Sequence, residues 1–336
     1  MFNNRLWGDF NYYTRDDKDQ IISVTSAPQS GYSTRKMNAG LIRNRGVELS
    51  LGGMPVSTKN WKWEMNFNIA KNSNKLVELA DGVDSYSIYW TSFTTRLYNY
   101  AMVGKSLGVI TGNTWERDDN GNIIFHELSA SQKALYGGEY VPTYNQNTLD
   151  ELGNFHPDFT GGFNTSISFK NFRLSANIDF SVGGQIVSYT NMWGSSSGIL
   201  DKTAELNDRG VNVREPVSKG GGIHMTGVDQ NGNKVDTYVN AKLYYTTASR
   251  VWEEWVYDRT YVKLREVSLS YVFPSQTLKK LNIGLSRASV AINASNPWLI
   301  YSACPNVDVS EIGMGYFEGG NAAATRSIGF TVNLAF

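Results

Sequence analysis

Apolar and polar residues alternate with a period of two at several places in the chain, most clearly in its last segment. This segment runs from Thr325 to Phe336, and its apolar side chains all fall on one face of an extended strand. They are Ile328, Phe330, Val332, Leu334 and Phe336. About 12 residues at roughly 3.3 Å each, tilted by around 40°, cover the ~25 Å apolar band of an outer-membrane barrel. The pattern therefore predicts a membrane-spanning strand that ends with Phe336 at one interface.

Seven earlier segments show the same alternation, so the sequence predicts eight spanning strands. The seven are residues 5–14, 47–52, 61–69, 159–169, 172–182, 266–273 and 281–296. The connections between them alternate strictly in length. Short links are expected at 55–60, 170–171 and 274–281, and long ones at 15–40, 72–157, 184–259 and 297–323. Short turns on one side and long loops on the other are typical of outer-membrane barrels.

The second face of these strands carries mainly Ser, Thr, Asn and Gly. An eight-stranded barrel that closed on itself would have an interior just wide enough to be filled by side chains. Small polar residues instead suit the wall of a wide lumen. We therefore expect an all-β, antiparallel transmembrane fold in which the eight strands form an arc of a larger barrel.

Composition supports this interpretation and excludes others. Of the 336 residues, 32 are glycine, 13% are aromatic and only 18% are charged, with a net charge of zero, which gives no support for a nucleic-acid partner. The single cysteine, Cys304, has no metal-ligand spacing around it. Residues 1–5 lack the features of a secretory signal, so the chain is expected to be the trailing part of a longer polypeptide.

Two Asn-Gly sequences, in segments 118–122 and 229–233, lie between strand-like flanks. Asn-Gly is a strong hairpin signal because a type I′ turn needs positive φ at both central positions. The alternative is a calcium loop, since Asp and Asn supply oxygen ligands, but the glutamate that completes an EF-hand is missing. The sequence predicts turns, and neither a metal site nor a cofactor is expected.

Several motifs, in order, resemble the SusC/RagA-type TonB-dependent outer-membrane transporters of Bacteroidota. They are Asn-Ala-Gly at 38–40, Arg-Asn-Arg-Gly-Val-Glu-Leu at 43–49, Pro-Asp-Phe-Thr-Gly-Gly at 157–162, Val-Lys-Leu-Arg-Glu-Val-Ser-Leu-Ser-Tyr at 262–271, Asn293 with Asn296 and Trp298, and Arg326 before the terminal strand. The chain departs from the family in having Pro297 between Asn296 and Trp298, and in lacking a proline near Arg326.

The resemblance implies that residues 1–336 are the C-terminal part of a plugged, 22-stranded barrel in the bacterial outer membrane. The plug, the N-terminal extension and the earlier strands are then absent from this chain. The implied partners are a SusD-like surface lipoprotein that caps the extracellular side, the TonB complex acting through the plug, and outer-membrane lipid. A dimer of transporter–lipoprotein pairs is left open.

Active import of a nutrient, an oligosaccharide or a peptide, is the function that the resemblance implies. Aromatic residues in the long loops are candidate substrate contacts because their faces can stack on sugars or peptide side chains. They are Tyr89, Trp90, Phe93, Trp193, Trp252 and Trp255. The alternative for each is that it packs the loops together or meets the lipoprotein. Phe336 is expected to act as the barrel-assembly signal.

The sequence also bears on two other classes of function. An enzyme is not expected, because the three histidines, His126, His156 and His224, lie in loops without the spacing of a nucleophilic triad. A binding or adhesin barrel without active transport stays open as the alternative to import.

Overall fold

A computed structural model describes residues 5–25, 34–38, 40–91, 95–281, 284–312, 316–320, 322 and 324–336. Eight long strands form one antiparallel sheet. Their order in the sheet is their order along the chain, so each strand pairs with the preceding and the following one of the eight. In chain order they are β1 Leu6–Lys18, β2 Leu41–Ser57, β3 Trp61–Glu78, β4 Phe159–Phe169, β5 Phe172–Val182, β6 Tyr261–Val272, β7 Arg287–Ser302 and β8 Ser327–Ala335. The predicted set of eight consecutive strands is confirmed.

The strand register aligns the apolar face across the sheet. One row of directly opposed residues crosses six strands, namely Trp63, Ile167, Leu174, Leu269, Ile292 and Phe330. Many of these side chains are exposed, as Phe330 illustrates at 67%. Because a shift of one residue would turn a strand's apolar set to the other face, this alignment fixes the register of every strand. The result is one continuous apolar surface.

Several strands run further than the sequence predicts, and two of them, β2 and β7, do so through a proline. Strand β2 continues past Pro55 and β7 past Pro297, both of which were expected to lie in connections. The pairing skips residues between Gly53 and Val56 on β2, and between Ser295 and Trp298 on β7. A proline cannot donate to a ladder, and such bulges are where a strand tolerates it. The start of β7 was also predicted too early, because a helix occupies Ser275–Leu281.

The charged run after Thr14 was predicted to begin a loop, but residues up to Lys18 belong to β1. Cross-strand contacts explain the difference. Arg43 on β2 donates from Nε and Nη2 to the two carboxylate oxygens of Asp16, at 2.8 Å each, and Asn44 donates to Asp17 at 2.9 Å. The charges are thus satisfied within the ladder, and the first hairpin extends beyond the apolar band.

The connections confirm the predicted asymmetry. At one end of the sheet the links are residues 58–60, 170–171 and 273–286. At the other end they are 19–40, 79–158, 183–260 and 303–326. Short strands in the long connections are Ile21–Thr25, Thr34–Asn38, Ser85–Thr91, Leu97–Met102, Val109–Gly112, Ile124–Glu127, Tyr140–Pro142, Asp150–Asn154, Gln185–Ser188, Ile223–Asp229, Lys234–Val239, Val256–Asp258 and Phe317–Glu318.

Helices are few and short. The α-helices are α1 Ala130–Tyr136, α2 Tyr189–Ser196, α3 Ala241–Ala248 and α4 Ser275–Leu281. Single 3₁₀ turns lie at Asp201–Ala204, Val217–Lys219, Trp252–Trp255 and Val309–Glu311. Among the described residues, none of the helices has the length and hydropathy needed to cross a membrane.

The two Asn-Gly segments do form turns, but not of the predicted type. Only the glycine of each, Gly121 and Gly232, has positive φ, so neither is a type I′ turn. Instead the carbonyl of Asp229 accepts from the Gly232 amide, and its carboxylate accepts from the amides of Asn231 and Asn233. Asp118 does the same in the first turn. The carboxylates therefore hold three-residue loops in which glycine takes the left-handed position.

Candidate functional site

Hydrogen bonds join polar side chains of neighbouring strands on the polar face of the sheet. Asn293 on β7 accepts from Ser268 Oγ on β6 at 2.6 Å and donates to Thr331 Oγ1 on β8 at 2.9 Å. Further along, Asn177 on β5 donates to Glu266 on β6 at 3.4 Å. Because these side chains are short and hydrogen-bond to those of neighbouring strands, the surface that they form is flat and hydrophilic. Such a wall offers a hydrophilic ligand many weak contacts and no deep trap.

Charged groups concentrate where this wall meets the last long connection. Lys263 on β6 has a side chain only 1% exposed, and its Nζ lies 2.7 Å from Asp308 Oδ2 and 2.7 Å from Glu311 Oε1. Its third donor goes to Ser310 Oγ at 3.0 Å. All three ammonium hydrogens are satisfied, as a buried cation requires. The 3₁₀ turn Val309–Glu311 is thereby held against the sheet.

Arg265 extends this cluster across two strands. Its Nε donates to Asp179 Oδ1 on β5 at 2.9 Å, and its Nη1 contacts Glu311. Hydrogen bonds from Lys263 and then Arg265 lower the pKa of Glu311 to about 2. Glu311 is therefore ionised at neutral pH. It links two neighbouring positions of β6 to the connection that follows β7.

The long connections pack against one another in what we call the loop layer, made of the described parts of 79–158, 183–260 and 303–326. Its core contains Trp252 and Trp255, which are 0% and 1% exposed. Trp252 stacks on Tyr189, with ring centroids 5.2 Å apart, and Trp255 Nε1 donates to the Ala248 carbonyl at 2.7 Å. Leu97 and Ile110 from the first of the three connections complete the same cluster.

Hydrogen bonds and an ion pair also join the connections at the edge of this core. Glu254 accepts from Trp115 Nε1 at 2.5 Å and from the Tyr244 hydroxyl at 3.2 Å. Burial, together with the nearby Glu254 carboxylate, raises the pKa of Tyr244 well above its ordinary value. The phenol therefore stays protonated and keeps donating. Arg117 pairs with Glu253 at 2.8 Å on the same edge.

The positions of Trp252 and Trp255 correct the prediction that they contact substrate. Both rings are enclosed by the loop layer and have no exposed face on which a sugar or side chain could stack. In the sequence Trp-Glu-Glu-Trp, both indoles of one 3₁₀ turn lie in the core. The two glutamates between them lie at the edge of the core, where Glu253 pairs with Arg117 and Glu254 accepts from Trp115. The alternative that aromatic residues pack the loops together applies to this pair.

The other candidates differ from this pair. Trp193 on α2 is 42% exposed. Tyr89 and Trp90 lie on the strand Ser85–Thr91, where their backbones pair with Asn99 and Tyr98. Phe93 lies outside the described residues.

A cavity of about 440 Å³ opens between α1, α2 and α3. Its lining includes the cations Arg214 and Lys242, the phenols of Tyr136 and Tyr245, and the small residues 195–198. Arg214 is held in place by bonds from Nε to the Thr203 carbonyl at 2.8 Å and from Nη2 to Thr203 Oγ1 at 2.6 Å. Polar, aromatic and cationic groups converge here, as they do in sites for hydrophilic ligands.

Sequence reasoning missed both the Lys263 cluster and this cavity. The two-residue period of β6, in which Val267 and Leu269 belong to the apolar face, would assign Lys263 to that same face. The register shift between Leu264 and Glu266 instead places Lys263 opposite Asp179, on the polar face. Its partners Asp308 and Glu311 follow 45 and 48 residues later in the chain. Nothing local in the sequence predicts that pairing. Phe336, the predicted assembly signal, follows β8 and is 87% exposed.

Comparison with known proteins gives related sequences but no matching protein-family model. The TonB-dependent receptor P3 of Formosa agariphila is 28% identical over 316 residues, which is 92% of this chain and 29% of that protein. SusC, a TonB-dependent receptor of Bacteroides thetaiotaomicron, is 31% identical over 195 residues, or 55% of this chain and 18% of SusC. The predicted resemblance to SusC/RagA-type receptors is confirmed.

The fold has a counterpart among solved structures. The RagAB peptide importer in its closed-closed state matches all of this chain with a TM-score of 0.70 at 19% identity, over 34% of the matched chain. At that identity the likeness concerns the fold. The chain spans about a third of the length of the receptors it matches, as 29% of P3 and 33% of the receptor P26 illustrate. Its eight strands correspond to part of a larger barrel.

Proposed function

We propose that this chain forms part of the barrel and the extracellular loop layer of an outer-membrane receptor that imports a nutrient with energy supplied through TonB. One observation carries the proposal. The register aligns an exposed apolar face over eight strands, while the opposite face is polar and all long connections lie at one end. A sheet of this kind suits a bilayer outside and water inside.

The substrate is proposed to be hydrophilic, an oligosaccharide or a peptide. The wall of Ser, Asn and Thr side chains would give it weak, repeated contacts along the lumen. Tyr89, Trp90, Phe93 and Trp193 are the proposed stacking residues. The cavity beside Arg214 is a proposed subsite for a polar or anionic group of the substrate.

The proposed partners follow from the similarity to receptors of this type. A SusD-like lipoprotein would cover the long-loop side, and TonB would act through a plug that belongs to the whole receptor. The loop layer has a shared core, so it would present a preformed surface to such a lid. Similarity to SusC and to the RagAB peptide importer supports import over a purely adhesive role.

The test uses cells that carry or lack the gene, with fluorescent oligosaccharides and peptides as probes. We expect at least one probe to accumulate inside the outer membrane, and a protonophore to abolish accumulation because TonB draws on the proton gradient. A complemented deletion strain is the control. Surface binding without protonophore-sensitive accumulation would replace import by an adhesin or binding role. Equal accumulation of every probe in the deletion strain would refute the proposal.

A further inference from the structure

The outward face of the first three strands changes character above the apolar band. In β2 the outward positions run from Leu51, Leu49 and Val47 to Arg45 and then Arg43, toward the long-loop end. In β3 the same face passes from Phe67 and Ile69 to Lys71, Ser73 and Lys75. In β1 it passes from Phe10 and Tyr12 to Thr14, Asp16 and Lys18. In each of the three strands, the outward side chains change from apolar to polar or charged at about the same distance from the long-loop end.

We call this surface the outer rim patch, and its members are Lys18, Arg43, Arg45, Lys71 and Lys75. The strand pairing places these residues close together. Arg43 lies directly opposite Asp16 on β1 and Lys75 on β3, and Lys71 lies opposite Val47 on β2. Two carboxylates lie on the outward face of these strands: Asp16, which accepts two hydrogen bonds from Arg43, and Glu78, which pairs with Leu41 at the end of β3. The patch therefore carries a strong excess of positive charge.

The orientation of the patch is fixed by contacts with the apolar face. Lys71 Nζ lies 4.8 Å from the centre of the Phe159 ring, and Phe159 belongs to the outward apolar set of β4. The ammonium group thus sits at the upper edge of the band that faces lipid. Lumen-side positions of the same rows have a mixed character, with Arg15, Asp17 and Asn44 linked by hydrogen bonds. The excess of cations is confined to the outside.

Other parts of the outward rim are built differently. At the short-turn end, Trp61 packs on Phe169 and Phe172 on Tyr271, with ring centroids 4.3 Å and 4.7 Å apart, as in an aromatic girdle. At the long-loop end of β7, the exposed outward residues are Trp298 and Tyr301. The five cations on β1 to β3 are therefore a local feature that a general preference for an interface does not explain.

We propose that the outer rim patch binds the phosphate groups of a phosphorylated glycolipid in the outer leaflet. This rests on the proposed function, because it needs the apolar face to lie in the outer membrane with the long connections outside. Neighbouring strands are ~4.8 Å apart and alternate residues ~6.6 Å apart, so the patch spans about 10 Å across the strands and about 20 Å along them, from Lys71 to Lys18. Arginine offers paired donors to phosphate and lysine a point charge. Acyl chains would continue onto Phe10, Leu49 and Ile69 directly below.

The test measures lipid bound to the whole receptor, purified from outer membranes and examined by native mass spectrometry. The probes are bisphosphorylated lipid A, the same lipid with its phosphates removed, and inorganic phosphate alone. The variant is Arg45→Gln/Lys71→Gln/Lys75→Gln. Its matched control is Lys219→Gln/Lys234→Gln/Lys280→Gln, three exposed lysines away from the rim. We expect binding of the bisphosphorylated lipid to fall at least about tenfold in the rim variant and to be unchanged in the control.

Two further measurements keep the outcome decisive. If the rim variant does not assemble, the charge-conserving Lys71→Arg/Lys75→Arg variant should retain binding, and binding by the unmodified receptor should weaken with rising salt. Equal binding of the phosphate-free lipid, or unchanged binding by the rim variant, would overturn the proposal. Saturation by inorganic phosphate alone, without lipid, would also overturn it. Failure of the proposed function is seen separately, as wild-type receptor missing from the outer membrane or as lost uptake.

Discussion

The indole ring of Trp7 on β1 covers Gly52, its directly opposite partner on β2. A β-carbon at position 52 would lie 2.0 Å from Trp7 Nε1, so only glycine fits beneath the ring. We expect Gly52→Ala to displace the indole and lower the free energy of unfolding by about 1 to 3 kcal/mol, the usual cost of overpacking. Urea titration of the detergent-purified receptor measures the loss.

Gly53 provides the matched control for that substitution. A β-carbon there would meet the Arg5 carbonyl at 3.5 Å and Leu6 Cδ1 at 3.8 Å, which are ordinary contacts. Gly53→Ala should therefore leave the urea midpoint nearly unchanged. In the double variant Trp7→Ala/Gly52→Ala, the steric part of the cost should disappear. Equal destabilisation by Gly52→Ala and Gly53→Ala would contradict the close contact.

Replacing Lys263 with methionine should release the connection after β7 from the sheet. The substitution leaves Asp308 without its cation and Glu311 with Arg265 alone, and both carboxylates are partly exposed, at 17% and 33%. We therefore expect a loss of about 2 kcal/mol, below the ~3 to 5 kcal/mol seen for a fully buried pair. Limited proteolysis should cut residues 303–326 faster. Lys279→Met, in the short-turn helix α4, is the control and should leave the cleavage rate unchanged.

The same anchor predicts a specific pH dependence. The folded pKa of Glu311 is about 2, below the ordinary value for glutamate of ~4.3. A depressed pKa stabilises the folded state above the ordinary value, and this contribution disappears as pH falls from about 4.5 toward 2. The hydrogen-exchange protection factors of residues 303–312, which are corrected for the intrinsic pH dependence of exchange, should thus be steady from pH 7 to 5 and fall in the acid range. Glu311→Gln should remove that acid-range change, and an identical pH profile in this variant would show that another group is responsible.

Trp252 and Trp193 should respond differently to truncation. Trp252→Ala opens a cavity in the core of the loop layer, for which a loss of about 3 to 5 kcal/mol is expected. Trp193→Ala removes a ring that is 42% exposed and should change the unfolding temperature much less. If Trp193 contacts the substrate, its variant should lose uptake or ligand binding while remaining folded. Equal loss of stability in the two variants would assign Trp193 to packing.

Removal of Phe336 should lower the amount of assembled barrel in the outer membrane. The residue follows β8, is 87% exposed and makes a small contribution to packing, so a loss of stability is not the expected cause. Heat-modifiable mobility on gels distinguishes assembled from unassembled receptor. Phe330→Leu, which keeps an apolar residue on the same face of β8, is the control. An unchanged assembled fraction without Phe336 would refute an assembly role.

The eight strands could be predicted from the sequence because each has one apolar and one polar face. Apolar and polar residues therefore alternate within a short stretch of sequence. The ends of β2 and β7 could not be predicted, since Pro55 and Pro297 are read as strand breakers unless the bulge that accommodates them is known. The turn at Asp229 shows a similar limit. Its side chain, rather than the Asn-Gly pair alone, selects the turn geometry.

The loop layer was beyond prediction for a different reason. Its contacts join residues far apart in the chain, such as Trp115 with Glu254 and Lys263 with Asp308. No short-range period records such pairs, and an exposed and a buried tryptophan look alike in a sequence. The aromatic residues of long connections were thus recognised, but the division between core and surface came only from the fold.

The shared core of the loop layer also constrains how these connections can diverge. A β-carbon at Gly112, in the first connection, would lie 2.8 Å from Trp252 Cβ in the second, and the Tyr316 hydroxyl of the third donates to the Leu97 carbonyl of the first. Residues that fill one core must change in concert. We therefore expect ligand specificity to evolve with the three connections as one set. Grafting all three between relatives should transfer it, whereas grafting a single loop should not.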